Sequence, residues 1–489
     1  MAERPASVPG ASPRPPYPPP LDELPTEQLA HAMAGSHRPM RLFGSESFFR
    51  LWVAQVVSSL GDWIGLAAIL AFAARIGGSS PAAAVGFTMA ARMVPGFFLA
   101  SVGGVLVDRW DRKKVMVASN VGQGAILAVL PFATRLWHLI VISFVLEILT
   151  LLWSPAKEAT VPNLVPAQQL TTANSLSLVA AYGTFPIGAA VFASLVKLAE
   201  HLQQYEILDV FRVSQLSLAI YLDVLSYLAS AVLISTLVLP GHGRDRRKPG
   251  RIDLGETFHQ LREGWQFIGT SPVVRSVIVG LGTGLVGGGM IVPLGPVFAE
   301  QVLDAGEAGF GLLLTSLGMG VAVGIVLLTI LQKRLPRHQI FTGSVLGAGA
   351  SMMAAASMSD LALAMALVAV MGVCCGSVYV MGFTILHDSV EDELRGRIFA
   401  TLYTLIRLCL LVALTVGPLL SNLLDKVSRN LFDDGRVDFA AAAITLPGVR
   451  LTLWLGAAII LVAGLLALVS LRRGNGGLVA TPTSGGVAA

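Results

Sequence analysis

Apolar residues run in long blocks along this chain, and charge, proline and glycine gather in the short gaps between them. Taking about 20 residues as the length that crosses a bilayer, cuts at those gaps predict twelve helices. They fall at 48–74, 82–107, 115–134, 138–155, 173–196, 216–239, 272–298, 308–331, 340–357, 361–385, 397–423 and 449–471. The thinnest gap is Ser357 to Asp360, between spans 9 and 10. The longest polar interruption divides the spans six and six, which predicts five regions. Residues 1–45 form a disordered Pro-rich cytoplasmic tail, 46–240 a six-helix half, 241–271 a cytoplasmic linker, 272–472 a second six-helix half, and 473–489 a disordered cytoplasmic tail. The first region lacks the basic-then-apolar layout of a cleavable signal, so the block near Phe48 is expected to remain as a span.

The linker opens with Arg244, Arg246, Arg247, Lys248 and Arg251. It continues with Leu254, Phe258, Leu261, Trp265 and Ile268 at alternating spacings of four and three. That spacing puts an apolar stripe on one face of a helix lying along the membrane surface. A solvated linker that only sets topology is the other reading, and both stay open.

Composition fixes the class. Hydrophobic residues make up 54% of the chain and charged ones 13%, against roughly 25% charged in soluble domains, and the mean hydropathy is +0.71. The net charge of +4 matters less than its placement. Lys and Arg concentrate on alternate loops, on the side that holds the tails, the 108–114 loop and the linker, so the positive-inside rule puts both termini in the cytoplasm of a multi-pass plasma-membrane protein. Nothing supports nucleic-acid binding. Cys374, Cys375 and Cys409 all fall inside apolar blocks and read as small buried side chains.

Ionisable residues within spans are costly, at roughly 2.5 to 3.5 kcal/mol or more each, and therefore point to function. Asp62 and Arg92 sit near the middle of spans 1 and 2, where adjacent antiparallel helices bring them together, either as a proton-coupled pair or as a permanent ion pair. Glu147 in span 4 has no partner evident in the sequence and is the leading carboxylate for a proton or cationic substrate. Asp223, nearer the outer end of span 6, is a further candidate or a solvated carboxylate, and Arg407 in span 11 is a candidate whose partner the sequence does not name. Helix breakers Gly183, Pro186 and Gly188 in span 5, and Gly417 and Pro418 in span 11, hold corresponding positions in the two halves, as duplicated repeats require, and proline permits bending. The glycines between Gly280 and Gly289 indicate a flexible or closely packed span 7, since no strand precedes them to form a phosphate loop.

The loop after span 2 reads Gly104-x-x-x-Asp108-Arg109-x-x-Arg112-Lys113. Gly104 permits close helix approach, and Asp108 is favoured by about 0.3 to 1 kcal/mol near the N-terminus of span 11, around Arg397. With Gly104, Arg109, Arg112 and Lys113 it is expected to form a conformational latch between halves; the basic residues as topology signals alone are the competing reading. This loop, the two six-helix halves and the linker resemble the major facilitator superfamily over about residues 46 to 472. Gln55 to Trp63, Asp108 to Arg112, Val161 to Pro166 followed by Ala173-Asn174, Asp223 to Leu228, and Arg262 to Ile268 are similar to its bacterial exporter branch, which contains the enterobactin and macrolide efflux proteins. Asp111 stands where the wider superfamily has glycine, and exporters of this branch often carry aspartate there. Span 4 departs from many proton-driven drug exporters by carrying Glu147 and no arginine, and the span 5 motif places Phe185 between the glycine and proline that are adjacent in antiporters.

The resemblance implies an all-α membrane fold of twelve spans in two pseudo-symmetric halves, working as a monomer by alternating access. It implies export of a small, moderately hydrophobic molecule such as a drug, antibiotic or siderophore, against protons. The partners expected are that substrate, protons and the lipid bilayer, with no cofactor and no metal. An importer or lipid-moving carrier of the same fold, and a non-transporting receptor or assembly factor, remain as alternatives. No enzymatic activity is expected: His387-Asp388 and Glu391-Asp392-Glu393 beside Arg395 read as a solvated charged turn.

Overall fold

The computed structural model describes residues 42–202, 216–237, 272–331, 335–389, 392–431, 436–439 and 442–476. Most of the N-terminal tail, the linker with its amphipathic stripe and most of the C-terminal tail lie outside those residues. Among the described residues twelve helices are long and apolar enough to cross a membrane. They are Glu46–Ile76, Pro81–Leu99, Arg112–Phe132, Leu136–Asn163, Leu170–Leu202, Ser217–Ser235, Val274–Gln301, Gly306–Leu328, Arg337–Ser357, Leu361–Leu386, Thr404–Asn430 and Gly448–Val469. Each overlaps one of the twelve expected blocks.

Local chemistry sets several boundaries. The Ser45 side chain accepts from the amide of Phe48 at 3.0 Å and starts span 1, and Pro81 starts span 2, where a missing amide hydrogen costs nothing. Asp111 caps span 3 by accepting from the Lys114 amide at 3.1 Å, a structural use for the aspartate that glycine has no side chain to perform. The thin gap at 357–360 is a real turn: Met358 is extended and Asp360 accepts from the Leu363 amide at 2.9 Å.

Three spans are interrupted. Span 5 consists of Leu170–Tyr182 and Phe185–Leu202. Span 7 consists of Pro272–Gly288 and Ile291–Gln301. Span 11 passes from Asp392–Leu411 through a π-turn at Val412–Val416 into Gly417–Leu431. Between spans 11 and 12 a short antiparallel hairpin pairs Arg436–Phe439 with Ala442–Thr445, an element that the apolar pattern does not reveal.

Packing within the second half relies on glycine against backbone. On span 8, a Cβ added at Gly320 would lie 2.1 Å from the Ala369 carbonyl oxygen, and one at Gly324 would lie 2.3 Å from that of Val373. Span 10 reciprocates with Gly372 and Gly376, which face the backbone of Leu317 and Val321. Two small-xxx-small faces therefore meet, the arrangement that lets membrane helices gain dispersion contact without a hydrophobic drive between them. Gly287 of span 7 likewise presses on the Gly456 carbonyl of span 12, so the glycine-rich segment is closely packed there.

The halves join along the ends opposite the basic Arg112–Lys114 turn, here called the distal ends. Gly311 and Gly318 of span 8 abut Phe192 and Ala193, and Phe185 and Pro186, of span 5. Phe192 and Phe310 meet edge to face at 6.2 Å. Gly86 of span 2 touches Thr415 and Pro418 of span 11.

Candidate functional site

Spans 1 and 6 build a polar centre inside the first half. Gly61 and Gly65, one turn apart on span 1, leave a hollow that the Asp223 carboxylate fills: a Cβ at Gly65 would lie 1.9 Å from Asp223 Oδ2, and one at Gly61 would lie 2.4 Å from Oδ1. Asp223 is 2% exposed. The solvated reading of this residue is therefore corrected, because a neighbour without side chains allows span 6 to carry the carboxylate into the helix interface. The Ser226 hydroxyl lies 3.2 Å from Asp223 Oδ1 and donates to the Asp223 carbonyl at 2.8 Å.

Tyr227, one turn beyond Asp223, donates its hydroxyl to Asp62 Oδ1. Arg92 acts on Asp62, Asp223 and Tyr227 through space, but no direct Asp62–Arg92 ion pair forms among the described residues. The expected pairing is corrected in that respect: the contact of Asp62 is a phenol on span 6, and the guanidinium stands back. Tyr227 itself was not singled out in the sequence, although its four-residue spacing from Asp223 places both on one helix face.

Glu147 gains the partners that its own segment lacks. Arg92 of the same half and Arg407 of the other half both attract it, and Gly96 of span 2 faces its carboxylate. Arg407 is exposed and Glu147 partly so.

Span 1 also holds the break in span 5. Trp52, Gln55 and Trp63 donate to the carbonyls of Leu176 at 2.8 Å, Ser177 at 3.0 Å and Ala181 at 3.0 Å. The helix is interrupted just after Tyr182, which frees the Ala181 carbonyl for Trp63. Gly188 sits against Trp63 and Leu60, and the Trp63 and Phe185 rings lie 4.7 Å apart. Since Phe185 and Pro186 contact Gly318, Asp62 is one residue from a chain of contacts that reaches the second half. Gly417 rests on Met290, and Pro418 on Gly86.

Of the loop residues, Arg112 donates to the Ala159 carbonyl at 2.6 Å and Lys113 to that of Leu237 at 2.8 Å. Both contacts bind the ends of spans 4 and 6 within the first half. Gly104, Asp108 and Arg109 belong to the helix Pro81–Arg109, and their side chains lie outside the described set. At the turn after span 10, Asp388 pairs with Arg337 at the surface.

Twelve spans packed as two halves that meet at one end have the architecture of a membrane transporter. The family model of the Major Facilitator Superfamily matches residues 51–408 and 285–486, and the chain belongs to that family. Among relatives, the chain is 24% identical over 397 residues to macrolide efflux protein A of Streptococcus pyogenes, covering 78% of this chain and 90% of that protein. It is 27% identical over 224 residues to the MFS-type transporter YfiS of Bacillus subtilis, 46% of this chain and 49% of that protein, so the match spans about half the length of this relative. The fold is similar to that of a bacterial homologue of the human lysosomal transporter Spinster, with a TM-score of 0.66 and 13% identity over 87% of this chain and 97% of that one.

Proposed function

We propose that this transporter exports a small, moderately hydrophobic molecule, of the drug, antibiotic or siderophore type, by proton antiport with alternating access. The observation that carries the reading is Glu147, a partly buried carboxylate on span 4 that is attracted by Arg92 of its own half and by Arg407 of the other. A carboxylate attracted by cations of both halves changes its surroundings whenever the halves rock, and that is what coupling a proton to a substrate requires. Similarity to a protein named for macrolide efflux supports an export direction.

The basic turn at Arg112–Lys114 is placed in the cytoplasm by the positive-inside rule. Both termini then lie inside the cell, in the plasma membrane. The described junction of the halves then lies at the outer side, and substrate is collected from the cytoplasm or inner leaflet. In this reading Gly104, Asp108, Arg109, Arg112 and Lys113 latch the inner ends when the halves close there, and Gly183, Pro186, Gly188, Gly417 and Pro418 supply the bending. One chain contains both halves and acts as a monomer.

The test is accumulation of ethidium, erythromycin and a siderophore in cells stripped of their own efflux pumps. Wild type is expected to lower accumulation of at least one compound, with the effect abolished by a protonophore and by Glu147→Gln. Uphill uptake into right-side-out vesicles would instead make the protein an importer of the same fold.

A further inference from the structure

We propose that Tyr227 is the positioning residue that joins Asp62 and Asp223 into a single proton-holding unit that works together with Glu147 in the transport cycle. The proposal rests on the proton-coupled reading above and adds a second proton-holding position to it.

The unit is built from two helices whose sequences were shaped to meet. Span 1 supplies Gly61, Asp62 and Gly65, and span 6 supplies Asp223, Ser226 and Tyr227. Asp223 and Tyr227 are 2% and 6% exposed, so neither polar group has bulk water to screen it. The Ser226 hydroxyl lies 3.2 Å from Asp223 Oδ1, and Asp62 accepts from the hydroxyl of Tyr227. The like charges of Asp62 and Asp223 act on each other. Two carboxylates held together at low dielectric resist ionising together, and their protons belong to the pair and not to either residue.

Charge balance points the same way. Facing this centre are Asp62 from span 1, Arg92 from span 2, Asp223 and Tyr227 from span 6, with Glu147 of span 4 and Arg407 of span 11 beyond Arg92. Span 3 packs Gly124 against Tyr227 and has no ionisable residue between Val115 and Leu130; span 5 has no charged residue between Leu170 and Val196. Three carboxylates against two guanidiniums leave one negative charge uncompensated. One bound proton neutralises the set. A metal cation fits poorly, because the glycine backbone of span 1 closes directly on both Asp223 oxygens and leaves no room for a coordination shell.

Tyr227 is placed to govern this proton. Its hydroxyl donates to ionised Asp62 and stabilises that form; removing the hydroxyl redistributes the proton between the two acids. When the proton leaves, the carboxylic O–H bond breaks, the proton passes to an acceptor base such as the Glu147 carboxylate, and the electron pair stays on a carboxylate that Tyr227 holds. Phe at this position keeps the Cβ that meets Gly124 and the ring, and deletes only the donor.

The full chain in phosphatidylcholine–phosphatidylglycerol vesicles is titrated while infrared absorption follows the carboxylic-acid C=O band. Wild type should show a titrating band that Asp62→Asn and Asp223→Asn each remove or displace. Tyr227→Phe should displace its midpoint by about one pH unit, roughly tenfold in proton affinity, with unchanged melting temperature. In the Asp62→Asn background the same substitution should do nothing further, the non-additivity expected of one coupled unit. An unchanged midpoint in Tyr227→Phe overturns the proposal, as does a band that follows sodium concentration at fixed pH. Should Tyr227→Phe not fold, the two aspartate variants decide: if each leaves the titration of the other untouched, there is no shared unit. A displaced band with no ethidium-driven proton movement in dye-loaded vesicles would retain the unit and remove the antiport reading.

Discussion

Arg75, at the distal end of span 1, places Nη1 3.8 Å from Glu307 Oε1 at the distal start of span 8, and so ties one half of the transporter to the other. Glu307 is 16% exposed and Arg75 44%, while Glu300 and Glu200 add negative charge nearby. The same guanidinium lies 4.9 Å over the Phe72 ring.

A half-exposed pair of this kind contributes about 0.2 to 1 kcal/mol, and since 1.4 kcal/mol is tenfold, it biases the closed distal end by up to about fivefold. Arg75→Glu should populate distally open molecules, and Arg75→Glu combined with Glu307→Arg should restore the wild-type balance. Spin-label distances between the distal ends of the two halves read this directly. Equal distance distributions in all three proteins would remove the gate role.

Glu147→Gln should abolish protonophore-sensitive efflux while leaving the protein folded. Arg407→Ala removes one of the two cations acting on Glu147 and should shift the pH at which efflux is half-maximal without abolishing expression. A pH–efflux profile of Arg407→Ala that overlays wild type would separate the two residues.

Packing of spans 8 and 10 gives a sharper contrast. Gly320→Ala places a methyl group 2.1 Å from a carbonyl oxygen, and overpacking of this kind costs about 1 to 3 kcal/mol. At Gly284 a new Cβ meets nothing within 4 Å, so Gly284→Ala should be neutral. Thermal melting followed by size exclusion should lower the midpoint for the first substitution only.

Arg450 is fully buried at the start of span 12, where Nη2 donates to the Met358 carbonyl at 3.0 Å and to Ser359 Oγ at 2.9 Å. Trp454 adds a bond to Ser357 Oγ at 3.0 Å. These contacts hold the turn between spans 9 and 10. Arg450→Ala should cost about 1.5 to 3 kcal/mol through the hydrogen bonds lost from this charged donor and should increase proteolytic cleavage near residue 359 relative to wild type.

The number of spans, their division into halves and the family resemblance were readable from the chain because lipid imposes a length and an apolarity on every crossing segment. Even the thin gap at Ser357–Asp360 carried its own N-cap, Asp360. Charged residues inside spans stood out for the same reason, since each is expensive there. What the linear pattern could not supply was which of them meet. Asp62, expected beside Arg92, hydrogen-bonds Tyr227; Asp223, a candidate whose other reading was a solvated carboxylate, is buried; and Glu147 is attracted by Arg407 from the other half.

These outcomes depend on helix rotation and on distances between helices, which a one-dimensional run of apolar residues leaves undetermined. Gly61 and Gly65 brought span 6 close enough to bury Asp223, and the interruption in span 5 freed a carbonyl for Trp63. Local composition thus determined that twelve helices cross the membrane. Only the packed bundle, where side chains from distant segments compete for the same small volumes, decided which polar groups share a site.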